Sequence, residues 1–208
     1  MSTTFDVFPS TAVIPTFDDV LRLSQVYLKD ALAKHGVTKE FQIDVRIQKK
    51  EGHAITPFLK SSPAKWNDDE YAWFVIAGQN GGCDAYFFKL DENNMSAEDW
   101  NSWRDELLSC QKAPRFDREI RKCFDTGFCW YFRRSAGQPA IVNLTYGLIA
   151  AAFAKLTDGV IYSNDGGWDY SLFPTKANEF LGHYFDPNCQ DVSNGRWAKD
   201  CWDDIKKM

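Results

Sequence analysis

The chain has 208 residues, with 24 Lys and Arg against 29 Asp and Glu, a net charge of −5 and a pI near 5.2. An acidic chain lacks the basic face that displaces counterions from phosphates, so no direct nucleic-acid partner is expected. With 44% hydrophobic and 25% charged residues the chain is not disordered, and its length fits a single globular domain over 1–208.

In chain order, Thr16 followed by Asp19 is a capping-box start. Val20, Leu21, Ser24, Leu28 and Leu32 then keep one face at helical spacing, and His35-Gly36 ends the helix. Phe41, Ile43, Val45 and Ile47 alternate with polar residues as a half-buried strand. Residues 52–69 read as a loop. Tyr71 to Ala77 and Cys83 to Leu90 flank Asn80-Gly81, a hairpin signal. Ser96 with Asp99 caps a helix carrying Trp100, Trp103 and Leu107, and 114–124 reads as a short charged helix. Phe128 to Phe132 reads as a strand buried on both faces, and the Ala-rich run 142–156 as a central helix covered by sheet. Val160 to Ser163 is a short strand, and two further helices fall near 176–185 and 195–206. Strands and helices mix without a βαβ rhythm. The expected class is α+β, a mainly antiparallel sheet with helices packed against it.

The aromatic load is high, at 16 Phe, 8 Tyr and 8 Trp, which leaves rings for an interface as well as for the core. The six cysteines, at 83, 110, 123, 129, 189 and 201, form no C-x-x-C pair and flank no His at zinc-finger spacing. The first residues, MSTTFDVFPSTAVIP, have neither a basic start nor an apolar leader core, and no apolar run is long enough to span a bilayer. Free thiols, a cytoplasmic location and no membrane partner are the resulting expectations.

No residue pattern spells out catalysis. Asp158, Asn164, Asp165 and Asp169 crowd a short strand, but their spacing is not that of a calcium loop, and Asp and Asn before Gly serve tight turns. His35 closes a helix, where an imidazolium suits the dipole, and His53 lies in a loop. His183 is expected as a partly buried ring satisfied by a backbone carbonyl. There is no G-x-S-x-G, and 78–82 lacks the Lys-Ser/Thr of a phosphate loop. Arg133-Arg134 reads as a solvated strand end. No catalytic residue, cofactor or metal ligand is assigned.

One stretch carries a likeness. A helix ending Leu156-Thr157-Asp158-Gly159, the strand Val160-Ile161-Tyr162-Ser163, then Asn164-Asp165-Gly166-Gly167-Trp168-Asp169, and Pro174-Thr175 before Phe180, Tyr184 and Phe185 follow one another. Over 151–185 the chain resembles the immunity proteins of bacterial polymorphic-toxin systems, most closely the immunity protein 52 family. The resemblance implies an α+β cytoplasmic protein, made beside a toxin secreted in bacterial competition, as through type VI secretion. Such a protein is no enzyme and neutralises its cognate toxin, often a nuclease, by binding it. Asp165, Trp168 and Asp169 are the positions it carries over as partner-binding. Two other readings stand beside this one: a small hydrolase using Asp165 or Asp169 with His183, and a self-assembling structural or adaptor protein. The oligomeric state is left open.

Overall fold

The computed structural model describes residues 3–90, 95–165, 167–189 and 192–208. Thr16 opens α1 (Phe17–Lys34), its Oγ1 accepting the Asp19 N–H at 3.1 Å, and Gly36 ends the helix at φ +72°. Seven strands form one antiparallel sheet in the order β3-β2-β4-β5-β6-β1-β7. They are β1 (Thr3–Phe8), β2 (Ile43–Lys49), β3 (Ile55–Thr56), β4 (Glu70–Ile76), β5 (Cys83–Lys89), β6 (Phe128–Arg134) and β7 (Val160–Tyr162). The class is α+β, as the mixed periodicities required.

The main core lies between one sheet face and the helices α1, α4 (Ala140–Leu156), α5 (Ala177–His183) and α6 (Val192–Lys207). α4 is apolar on nearly every side because neighbours surround it: the sheet beneath, with α1, α5 and α6 around it. Gly147 lets it approach α5, where the Tyr184 hydroxyl donates to the Asn143 carbonyl at 2.6 Å and accepts the Gly147 N–H at 3.3 Å.

The opposite face is covered at one end only. α2 (Ala97–Ser109), capped by Ser96, and α3 (Asp117–Asp125) pack over the β1–β7 end, where Phe8 meets Trp100, Trp103 and Phe124. The Trp100 indole N–H is held by the Phe124 carbonyl at 3.0 Å.

Several expectations change. The segment 52–69 contains β3, which adds two residues to the edge of β2. The first residues supply β1, a central strand between β6 and β7, although they show no alternation. Over Phe128–Phe132 β6 is buried on both faces except at the half-buried Tyr131; beyond it Arg133 is exposed and Arg134 is buried rather than solvated. His35 stacks on Trp202 at 3.8 Å. Burial first, then Lys34 and Lys206, lower its pKa, so at neutral pH it is an uncharged ring and not a dipole partner. Gly166 of the Asn164–Asp169 turn lies outside the described residues.

None of the six cysteines is in a disulfide. Burial pushes the Cys123 thiol up to about 12 and raises Cys83 and Cys129 as well. A thiolate is the reactive form, so these three should be silent in the native protein. Six thiols should titrate once the chain is denatured without reductant. Recovery of three disulfides would contradict the packing.

Candidate interaction face

The face of the sheet away from α1 and α4 is left open over β2, β4, β5 and β6. Side chains alternate along a strand, so the register decides which of them share this face. One row runs Arg46, Trp73, Asp84, Arg133 and Thr4 across five strands. The next runs Gln48–Tyr71 and Tyr86–Tyr131, then Asp6 and Tyr162 on β1 and β7. Tyr71 and Tyr86 stack at 6.1 Å, Tyr86 and Tyr131 sit 5.9 Å apart, and Phe88 joins them to Trp103. Trp73, Tyr86 and Tyr131 are half-buried. The Tyr71 hydroxyl is held by Gln48 Oε1 at 2.5 Å and His53 Nδ1 at 3.1 Å, and the Lys50 ammonium lies 5.4 Å from the Tyr86 ring.

The tyrosine row ends in an acidic corner. Asp6 is 8% exposed and its Oδ1 has no hydrogen-bond partner. Burial first, then the charges of Glu106 and Asp165, push its carboxyl up to about 8. Glu106, on α2, accepts the Tyr162 hydroxyl and the Asn164 amide, each at 2.9 Å. Asp165 takes over where β7 stops: its Oδ2 accepts the Thr4 N–H and, at 3.0 Å, the Thr4 hydroxyl, and its Oδ1 accepts the Gly167 N–H at 2.8 Å. Among the described residues none of these three carboxyls has an ion-pair partner. A pit of ≈ 10 Å³, about the size of one water, is lined by Asp6, Glu106, Tyr162 and the exposed Asn164.

The positions singled out in the sequence are not all together. Asp165 belongs to the acidic corner. Trp168 turns to the helical side, stacking on Phe5 at 5.2 Å and lying 5.6 Å from Tyr184 and 5.9 Å from Trp197. Asp169 caps a short 3-10 turn through the Ser171 N–H at 2.9 Å, which holds its carboxyl below the usual range. His183 lines the same cavity as Asp169. Burial first, then Lys112, lowers its pKa, and its Nε2 is buried without a hydrogen-bond partner. Asp158 sits at φ +49° with its carboxylate 3.2 Å from the Lys176 ammonium, a turn residue held by an ion pair. Asp6, Glu106, Tyr86 and Tyr131 are the residues that reading the sequence did not single out.

No helix of the described residues is long and apolar enough to cross a membrane. Compared with known proteins, the chain matches no family model, no curated sequence and no solved structure.

Proposed function

We propose that this chain is a cytoplasmic immunity protein that binds a basic protein toxin on the open face of its sheet and keeps the toxin from its substrate. The observation that carries the reading is the row Tyr71–Tyr86–Tyr131 ending at Asp6, in which Tyr86 and Tyr131 are half-buried, leading to carboxyls without cationic partners among the described residues. Tyr, Trp and Arg are the side chains that anchor protein interfaces, since they bury large area at little entropic cost. The acidic corner supplies the complementary site for a lysine or arginine of the partner, and the net charge of −5 favours encounter with a basic one. The resemblance over 151–185 points the same way.

The test is co-expression with the product of the adjoining gene, followed by pull-down and growth rescue. Tyr86→Ala and Tyr131→Ala should each weaken the complex by about 2 kcal/mol while leaving the chain folded. Association at pH 7 should release a proton, because a cation at the corner favours ionised Asp6, and the calorimetric heat should then depend on the buffer. A complex unaffected by both tyrosine variants would move the interface elsewhere. No complex and no rescue would sink the immunity reading.

The hydrolase reading keeps one supporting observation: Asp169 and His183 line one cavity, with His183 Nε2 unpartnered. Turnover of a small ester or amide, abolished in His183→Gln, would favour it.

A further inference from the structure

Arg134 ends β6 and is buried, with 6% of its surface exposed. Its Nε donates to Thr3 Oγ1 at 3.1 Å and its Nη1 to Asn143 Oδ1 at 2.8 Å. The guanidinium lies 5.5 Å from the Tyr146 ring and 5.2 Å from that of Trp197. All four neighbours are neutral. Among the described residues no carboxylate pairs with it. A guanidinium stays protonated throughout the range in which proteins fold, and a buried charge without a counter-charge is strongly unfavourable. Ring faces offset that only in part. An anion beside it would supply a counter-charge that no described residue gives.

There is room for one. A cavity of ≈ 500 Å³ opens beside Arg134, walled by Trp168 and Trp197 and floored by Thr3 and Asn143. Trp168 and Trp197 pack edge to face at 5.9 Å, and they also line a separate cavity of ≈ 290 Å³ that holds Phe180, Phe185, Asp169 and Asp186. Trp168 Nε1 is buried without a hydrogen-bond partner. The cavity at Arg134 lies on the helical side of the sheet, and apart from Arg134 its lining is uncharged, with Trp168 and Trp197 as its aromatic walls. Small-molecule sites have this make-up: apolar walls with a few polar groups that fix orientation.

We infer that this cavity binds a small carboxylic acid with an aromatic or branched-alkyl body, its carboxylate on Arg134 and its body against the rings of Trp168 and Trp197. The guanidinium fork matches a carboxylate in plane and in charge. One cation among neutral groups balances one negative charge, whereas a phosphate dianion would bring an uncompensated charge against aromatic walls. The cavity lies across the sheet from the acidic corner, so the inference does not depend on toxin binding and can fail or hold separately from it.

The experiment is a calorimetric and melting titration of the full chain at pH 7 with sodium phenylacetate, 2-phenylethanol and inorganic phosphate. Phenylacetate should bind with a millimolar or tighter Kd and raise the melting temperature, the other two binding at least about tenfold more weakly. Arg134→Gln should lose about tenfold or more in phenylacetate affinity. Arg134 is buried, and its replacement puts folding at risk, so a second variant is needed. Ala136→Glu, on the exposed rim of the same cavity, places a tethered carboxylate at its mouth. It should compete with phenylacetate, lowering its affinity while the circular dichroism spectrum is unchanged. Absence of any heat or melting shift with phenylacetate, equal binding of 2-phenylethanol, or undiminished binding in both variants would overturn the assignment.

Discussion

Replacing Asp6 by Asn should stabilise the folded chain more strongly the higher the pH. Between pH 5 and pH 8 the gain over the parent should grow by on the order of 3 kcal/mol. The cause is the buried carboxyl, whose pKa rises from 3.8 to about 8 on folding. Between those values the folded state holds a proton that the unfolded chain has released. The stability that Asp6 contributes is therefore fully present below about pH 4 and is lost as pH rises towards 8. Asn has the shape of the neutral acid and no proton to lose, so its denaturation midpoint should lack this slope. Urea titrations of both proteins at pH 5, 6.5 and 8 decide it, and parallel curves would show that Asp6 is better solvated than its burial implies. The same substitution should weaken the toxin complex. A side chain that costs stability at neutral pH, and whose loss costs binding, is expected where binding rather than folding has kept it.

Trp168→Ala is expected to lower stability by about 3 kcal/mol, the low end for a buried Trp because the ring is only partly enclosed. It stacks on Phe5 and packs against Tyr184 and Trp197, joining β1 to α5 and α6. Thermal and urea unfolding measure the loss. Affinity for the toxin, measured on the folded fraction, should be unchanged, because the indole lies across β1 from the tyrosine row. A folded, stable variant with weakened binding would place the interface on the Trp168 side.

The parts of the fold that were readable are those where local chemistry decides. Thr16 with Asp19, Ser96 with Asp99 and the turn at Asn80-Gly81 each fix a helix start or a hairpin within a few residues. β1 was not readable: Thr3-Thr4-Phe5-Asp6-Val7-Phe8 is covered on both faces, so alternation vanishes, and a carboxyl stands in its middle. β3 is too short to carry a pattern. Arg133-Arg134 held an unused signal, because adjacent strand residues point to opposite faces and a sheet covered on one side must bury one of the two. The interaction face needed pairing information. Tyr86 and Tyr131 lie far apart in sequence, and only the register across β5 and β6 brings them side by side. Glu106 reaches the corner from α2, a placement set by tertiary packing alone.

The margins of the sheet limit how any partner can attach. On the outer side of β2 the Ile43 N–H donates to Gln25 Oε1 at 3.0 Å, the Val45 N–H to Asp44 Oδ1 at 2.9 Å, and the Lys49 N–H to the Ala54 carbonyl at 2.9 Å. β3 covers the stretch between. At the other margin Ile161 and Thr175 exchange both of their backbone hydrogen bonds, at 2.8 and 3.0 Å. With these donors occupied, neither margin offers an open ladder to an incoming strand, so β-augmentation and strand exchange between copies are both disfavoured. Recognition must then be side chain against side chain, which makes affinity depend on which residues stand on the sheet rather than on its backbone. Such a surface can change its partner by substitution alone, with the architecture beneath it intact.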